Sequence, residues 1–182
     1  MKFTKKQIDR YSRQIILKKI GVIGQKKLLK ASVLIVGAGG LGSPIAIYLA
    51  ALGIGKIGIV DKDTVEISNL SRQIIFSTND LKKKKSSAAI NKLRKMNPDI
   101  KLHSFNKRLT KKNINQIAKN FDLIVDGSDN FRTRFLINDY CLKNKKTLVS
   151  GAISKFDGQV YTFNFSKTNS PCLSVHIRIF IS

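Results

Sequence analysis

The sequence predicts an α/β fold of the doubly wound, Rossmann-like type: a mostly parallel sheet with flanking helices and an N-terminal helical extension. Apolar runs of strand length alternate with segments of helical periodicity, a pattern typical of parallel strands joined by right-handed crossovers. A glycine-rich turn also follows the first apolar run and opens a helix. Because 182 residues suffice for one core, we expect a single domain, with N-terminal helices over 1–30, a core over 31–171 and a divergent tail over 172–182.

The N-terminal extension is predicted to be helical. Apolar residues recur at helical spacing over residues 5–19, and Thr4 precedes them with Gln7 three positions later, which is the pattern of a capping box. A turn over residues 20–24 then leads into a short helix over residues 25–30.

The core is predicted to alternate between strands and helices. Runs rich in β-branched and aromatic residues predict strands over 32–36, 56–60, 100–105, 121–126, from 147 onward, and 159–164. Helices are expected from Pro44 to Gly53 and over 83–95, 113–120 and 130–143, with a loop over 62–80.

The glycine turn predicts a nucleotide site. Gly37, Gly39 and Gly42 form a G-x-G-x-x-G pattern between a strand and a helix, where the backbone can approach a phosphate and the helix start offers free N–H groups. Asp61 ends the next strand, where its carboxylate can hold a ribose. The structural alternative is that the glycines only allow close packing of helix on sheet, with Asp61 as a solvated strand end.

The polar residues around this turn favour a magnesium triphosphate over a nicotinamide dinucleotide. The glycine pattern alone is typical of NAD-dependent oxidoreductases, which remain an alternative. However, basic and amide side chains fill the segments 10–14 and 69–73, Lys85 follows, and 126–130 carries two aspartates. Several cations with an acid at a neighbouring strand end suit a triphosphate with Mg²⁺ better.

The net charge of +23 does not by itself indicate a nucleic-acid binder. The basic residues are spread along the chain, with one tight run at 82–85, and no DNA- or RNA-binding motif accompanies them. We therefore expect no nucleic-acid partner, while salt-dependent nucleic-acid binding stays an alternative. No apolar run reaches about 18 residues and the N-terminus is polar, so we expect a cytoplasmic protein without a membrane partner.

Several motifs together resemble the ThiF/MoeB/HesA family, bacterial relatives of the ubiquitin-activating enzymes. They occur in order as RYSRQI, GAGGLGSP, VDKDTVEISNLSRQ, NPDI, DGSDNFRTR and VSGAISKFDGQV, over roughly residues 8–172. The resemblance implies an adenylyltransferase that binds ATP and Mg²⁺ and forms a homodimer. It would join AMP to the C-terminal Gly-Gly carboxylate of a ubiquitin-like sulfur-carrier protein, in molybdopterin or thiamine biosynthesis.

The resemblance also assigns roles to matching positions. It implies nucleotide contacts from Gly37, Gly39, Gly40, Gly42, Asp61, Asp63, Asn69, Arg72, Gln73, Lys85, Asp129 and Asn130. Asp61 would hold the ribose, Arg72 and Lys85 the phosphates, and Asp129 the Mg²⁺. Arg13 resembles the arginine that reaches across a homodimer into the partner's site. The predicted catalytic residues are therefore Arg13, Arg72, Lys85 and Asp129.

The cysteines depart from the family's pattern. Its members hold a structural Zn²⁺ with two Cys-x-x-Cys pairs, but here Cys172 is followed by Leu173-Ser174-Val175, and one thiolate cannot make that site. We therefore expect Cys172 to be a remnant of the zinc site, zinc to be absent, and the C-terminal part of the family fold to be missing. An ATP-binding remnant without turnover, or a frameshift over 173–182, would explain this departure. Cys141 is expected to be a buried core residue rather than a nucleophile.

Overall fold

Six strands form one sheet in the computed structural model, which describes residues 2–167 and Leu173. They are β1 (Ser32–Val36), β2 (Lys56–Val60), β3 (Lys101–Phe105), β4 (Leu123–Asp126), β5 (Thr147–Ser154) and β6 (Asp157–Asn164). Their order is β3-β2-β1-β4-β5-β6, and all neighbours are parallel except the antiparallel pair β5 and β6. The predicted doubly wound, mostly parallel sheet is confirmed.

The helices occur where they were predicted, with shifted ends. They are α1 (Lys5–Ile15), α2 (Gly21–Lys30), α3 (Gly42–Leu52), α4 (Lys85–Met96), α5 (Ile114–Ala118) and α6 (Phe131–Lys143). The predicted capping box of Thr4 and Gln7 is present. The predicted end of α1 and start of α2 were each wrong by four residues, because the N–H groups of Ile20 and Gly21 both bond to the carbonyl of Leu17 and compress the turn.

Helices cover both faces of the sheet, so β1 is buried along its whole length. On one face Ile35 and Ile57 pack in an apolar cluster with residues of α3 and α4. On the other face Leu34 packs with residues of α5 and α6, and Leu173 joins this second cluster. The backbone N–H of Leu173 donates to Oδ1 of Asn138 at 3.0 Å. Cys172 and residues 174–182 lie outside the described residues.

The N-terminal extension is fastened to the core through a buried tyrosine. Tyr11 of α1 is fully buried, and its hydroxyl accepts a hydrogen bond of 2.9 Å from Nδ2 of Asn97. The same amide group donates to the carbonyl of Ala50 at 2.8 Å, so Asn97 links α1 to the end of α3. Arg10 adds a bond of 2.9 Å from Nη1 to the carbonyl of Met96.

The sheet order brings three chain segments to one edge. β1 lies between β2 and β4, and the connections leave these strands toward opposite faces, which creates the crevice where doubly wound sheets bind ligands. The glycine turn, Asp61 and the segment after Asp126 all begin there. Among the described residues, no helix combines the length and apolar character needed to cross a membrane.

Candidate nucleotide-binding site

An open cleft of about 1830 Å³ lies at the carboxyl ends of the parallel strands. It is bounded by the glycine turn, the 61–73 segment, the start of α4, the loop after β3 and the segment from 127 into α6. Most of the predicted site residues line it together: Gly37, Gly39, Gly40, Asp61, Asp63, Asn69, Arg72, Gln73, Lys85, Asp129 and Asn130. Gly42 and Arg13 are not among the lining residues.

Two glycines of the turn allow close backbone contacts, and two others present their backbone to the cleft. Gly37 has φ +93°, and a Cβ there would lie 2.8 Å from the carbonyl oxygen of Gly127. A Cβ on Gly42 would lie 1.8 Å from the carbonyl oxygen of Gly37, so Gly42 closes the turn beneath the cleft. Gly39 and Gly40 face the cleft, and their backbone N–H groups have no hydrogen-bond partner within the described part of the chain. The turn therefore offers free donors at the start of α3.

Asp61 connects the second strand to this turn. Its Oδ2 accepts the backbone N–H of Ala38 at 2.8 Å, and its Oδ1 accepts the backbone N–H of Asp63 at 2.8 Å. The side chain is half-buried, and each carboxylate oxygen keeps a lone pair for a further donor. A sugar hydroxyl is a suitable donor at this position, so Asp61 is not merely a solvated strand end.

Gln73 carries an unpartnered buried polar atom at the floor of the cleft. The residue is 3% exposed, and Oε1 has no hydrogen-bond partner among the described residues. Such an atom costs about 1–3 kcal/mol unless a ligand or water satisfies it. Asn69 is also buried, but its Oδ1 accepts the backbone N–H of Glu66 at 3.1 Å. Oε1 of Gln73 is an acceptor, so a ligand or a water that donates a hydrogen bond would satisfy it.

Arg72 lies over the glycine turn. Its Cγ is 3.7 Å from where a Cβ of Gly40 would stand, and its Nη1 donates to the carbonyl of Ser68 at 3.0 Å. The side chain is exposed, so the other guanidinium donors face solvent on the cleft side.

The structure separates Lys85 from the rest of the lysine run. Lys82, Lys83 and Lys84 are exposed, whereas Lys85 is 7% exposed at the first position of α4. Its Nζ lies 3.9 Å from Oδ2 of Asp63, and its backbone N–H donates to the carbonyl of Asp63 at 2.9 Å. This ion pair is long and Lys85 lines the cleft, so a further anion fits beside its ammonium.

The two aspartates of the 126–130 segment have different environments. Asp126 is fully buried and accepts hydrogen bonds from Ser128 and Ser150, whereas Asp129 is exposed at the cleft. Neither aspartate caps α6, because Oδ1 of Asn130 accepts the N–H of Thr133 at 2.9 Å as the cap. Nδ2 of Asn130 in turn donates to Asp129 at 3.2 Å.

The exposed carboxylate of Asp129 at the cleft fits Mg²⁺ held together with phosphates. The described residues contain no group of three or more His, Cys, Asp or Glu side chains that could hold a metal. Mg²⁺ typically binds through one or two carboxylates plus substrate phosphates, so Asp129 beside a triphosphate suffices. The same donor set does not fit a protein-bound Zn²⁺ among these residues.

Sequence reasoning missed the basic loop between β3 and α5. Lys107, Arg108, Lys111 and Lys112 line the cleft, together with Arg132 of α6. They were interpreted as part of a diffuse surface charge. The available signal was their position directly after the third parallel strand, where loops meet the crevice.

Cys141 is a core residue, as predicted. It is fully buried in α6, and desolvation raises the pKa of its thiol to about 12, against the opposing effect of Lys146. Such a thiol carries almost no thiolate at neutral pH and is inert as a nucleophile.

Comparisons with known proteins identify relatives over most of the chain. A sequence model of the ThiF family matches residues 11–180. The sulfur carrier protein adenylyltransferase of Thermus thermophilus is 47% identical over 164 residues, which cover 90% of this chain and 60% of that protein. The probable molybdopterin-synthase adenylyltransferase of Porphyra purpurea is 48% identical over 163 residues, covering 90% and 43%. The SAMP-activating enzyme E1 of Haloferax volcanii is 46% identical over 156 residues, covering 86% and 58%.

Solved structures share the fold. Escherichia coli MccB with ATP superposes with a TM-score of 0.78 at 27% identity, covering 90% of this chain and 50% of that one. MccB with MccA-N7isoASN gives a TM-score of 0.82 at 27% identity, covering 90% and 49%. The chain thus spans about half the length of the solved structures and 43–60% of the relatives named above.

Proposed function

The chain belongs to the ThiF family, and from that membership we propose that it binds ATP with Mg²⁺ and adenylylates the C-terminal Gly-Gly carboxylate of a ubiquitin-like sulfur-carrier protein. We further propose that it acts as a homodimer in the cytoplasm. The relatives named for sulfur-carrier and molybdopterin-synthase adenylylation support the reaction class. A fold neighbour solved with ATP supports the nucleotide.

The observation that carries the proposal is the mixture of donors in one cleft. Within the described residues the backbone N–H groups of Gly39 and Gly40 are unpaired, and they line the cleft together with the ammonium of Lys85 and the guanidinium of Arg72. Backbone N–H groups at a helix start and buried cations both favour phosphate oxygens. A dinucleotide carries one pyrophosphate and needs few cations, so the alternative of an NAD-dependent oxidoreductase explains fewer of these groups.

The proposed reaction needs electrostatic stabilisation rather than a general base. The carrier's carboxylate is already ionised at neutral pH. It attacks the α-phosphorus, a new carboxylate–phosphorus bond forms, and the bond to the bridging oxygen breaks with release of pyrophosphate. Arg72 and Lys85 stabilise the charge that develops on the α-phosphate and on the leaving group, and they hold the nucleotide in line. Mg²⁺ supplies further neutralisation of the phosphates when bound.

Other side chains position the nucleotide. Asp61 holds the ribose with the carboxylate that already fastens the glycine turn. Asn69 and Gln73 line the phosphate side, and Asp63 orients Lys85. Asp129, bonded to Asn130, would hold Mg²⁺. These roles follow from each residue's position in the cleft and from the family resemblance.

Arg13 acts on a second copy of the chain in this proposal. It is exposed on α1 and does not line the cleft of its own chain. Exposed apolar side chains occur nearby in the chain, including Ile16 directly after α1 at 69% exposure and Ile23 of α2 at 74%. Such side chains suit burial against another copy, which would bring Arg13 near the partner's cleft.

Exchange of labelled pyrophosphate into ATP tests this function. We expect exchange only when Mg²⁺ and a carrier ending in Gly-Gly are both present, and none with the same carrier shortened by its two glycines. Comparing carriers of the molybdopterin and thiamine pathways identifies the partner. Binding of ATP without carrier-dependent exchange would reduce the function to nucleotide binding, and displacement of ATP by NAD would favour the oxidoreductase.

A further inference from the structure

The carboxylate of Asp126, at the last position of β4, is satisfied entirely by two serines. Oδ1 accepts the backbone N–H of Ser128 at 3.0 Å and its hydroxyl at 2.6 Å. Oδ2 accepts the hydroxyl of Ser150, on β5, at 3.0 Å. Asp126 is fully buried, Ser150 is 1% exposed and Ser128 is 9% exposed. A buried carboxylate is costly without such donors, so this network has a strongly preferred geometry.

Arg134 holds the same loop through a second set of hydrogen bonds. Nη2 of Arg134, on α6, donates to the carbonyl of Ser128 at 2.7 Å and to the carbonyl of Gly151 at 2.9 Å. The backbone N–H of Gly127 donates to the carbonyl of Val36 at 2.9 Å, next to the glycine turn. The backbone from 127 to 128 is therefore fixed to β1, β5 and α6.

Asp129 follows directly after this fixed segment. The bond recorded for its own carboxylate comes from the neighbouring Asn130, and the side chain is exposed. Its place at the cleft is therefore set by the backbone of Ser128 and not by packing of its own side chain. The loop is anchored through hydrogen bonds of Gly127 and Ser128, and the buried Ser150 holds the Asp126 carboxylate to which Ser128 is bonded.

We infer that Asp126, acting through Ser128 and Ser150, is a positioning residue that fixes where Asp129 presents its carboxylate to nucleotide-bound Mg²⁺. The inference rests on the proposed function, which assigns Mg²⁺ to Asp129. None of the atoms of the Asp126 and Ser150 pair needs to contact the nucleotide. The pair therefore affects binding only through the position of the metal ligand.

A merely structural role for the network predicts a different dependence on metal. Loss of general stability would weaken the binding of ATP equally with and without Mg²⁺. Loss of positioning weakens binding only when Mg²⁺ links Asp129 to the phosphates, because the glycine turn, Arg72 and Lys85 hold metal-free ATP by themselves.

Ser150→Ala is the sharpest variant because its side chain is buried behind the cleft and does not line it. The matched control is Ser154→Ala, a hydroxyl at the exposed end of the same strand with no bond to the network. Asp126→Asn is the stronger perturbation, since an amide places a donor against Ser128 or Ser150. Thermal melts of all variants without nucleotide report folding separately.

The test is a calorimetric titration of the wild-type chain and these variants with ATP, once in excess Mg²⁺ and once in EDTA. We expect Ser150→Ala to raise the Kd for ATP about tenfold in Mg²⁺ and less than about twofold in EDTA, the former being the effect of losing one hydrogen bond in a buried network. Ser154→Ala should match the wild type in both conditions.

Two outcomes overturn the inference: folded Ser150→Ala binds ATP like the wild type in Mg²⁺, or it weakens binding by the same factor in both conditions. If Asp126→Asn does not fold, the comparison of Ser150→Ala with the wild type still tests the inference. A folded wild-type chain that binds no ATP in either condition overturns the proposed function itself, and the inference falls with it.

Discussion

The carboxylate of Asp61 accepts the backbone N–H of Ala38 at 2.8 Å, so the acid that ends β2 is bonded directly to the glycine turn that follows β1. One oxygen of the acid thereby fixes the glycine turn, while the carboxylate keeps lone pairs for further donors at the cleft. The distance between the end of β2 and the glycine turn is therefore set by a single side chain.

Replacing Asp61 should damage both the turn and the nucleotide site. Asp61→Asn leaves one of the N–H groups of Ala38 and Asp63 facing an amide donor, and we expect unfolding free energy to fall by about 1–3 kcal/mol. The affinity for ATP should fall at least about tenfold, since the ribose also loses an acceptor. Asp157→Asn, at the exposed start of β6, is the charge-matched control. Calorimetry and urea unfolding measure the two effects, and unchanged values for both would contradict this account.

The glycines of the turn should differ in how well they tolerate substitution by alanine. Gly42→Ala places a Cβ 1.8 Å from the carbonyl of Gly37, a backbone atom that cannot move without opening the turn, so we expect the variant to misfold. Gly40→Ala places a Cβ no closer than 3.7 Å to the flexible Arg72, and this variant should fold with a melting temperature near that of the wild type. Equal melting temperatures for the two variants would refute the assignment.

Lys85, rather than another member of the lysine run, should carry the electrostatic role. Lys85→Met removes a cation 7% exposed at the cleft, and we expect pyrophosphate exchange to slow about a hundredfold to a thousandfold, by analogy with loss of one oxyanion donor. Lys82→Met removes the same charge from an exposed position outside the cleft and should leave the rate within about twofold. A larger effect of Lys82→Met than of Lys85→Met would exclude Lys85 from this role.

Cys141 should resist thiol reagents while the chain is folded. In a Cys172→Ser background it is the remaining cysteine, and a pKa of about 12 leaves a thiolate fraction of about 10⁻⁴ at pH 8. Burial blocks access as well, so labelling should be negligible at pH 8 and become complete in denaturant. The thiolate fraction increases as pH approaches the pKa, so labelling that is already fast at pH 7 in the folded chain would place Cys141 at the surface.

Much of the fold could be predicted because its patterns are local. β1 has five consecutive apolar or small residues and is buried along its length, and the G-x-G-x-x-G turn follows it without a gap. Thr4 and Gln7 form their capping box within one turn of chain. The end of α1 and the start of α2 were missed because the turn between them depends on two hydrogen bonds to the carbonyl of Leu17. No spacing pattern in the sequence encodes these bonds.

The site was predictable in its residue types and less so in its burial. Lys85 is chemically identical to Lys82, and only the docking of α4 buries one and exposes the other. The burial of Oε1 of Gln73 without a partner among the described residues depends on the tertiary structure. The position of Arg13 away from its own cleft likewise follows from how α1 packs.

The most direct test of the central claim, a magnesium-triphosphate site between the glycine turn, Asp61 and Asp129, is a calorimetric titration of the folded chain with ATP in excess Mg²⁺. The account predicts a saturable one-site binding isotherm that excess NAD does not abolish. A folded sample that releases only the heat of dilution would contradict it.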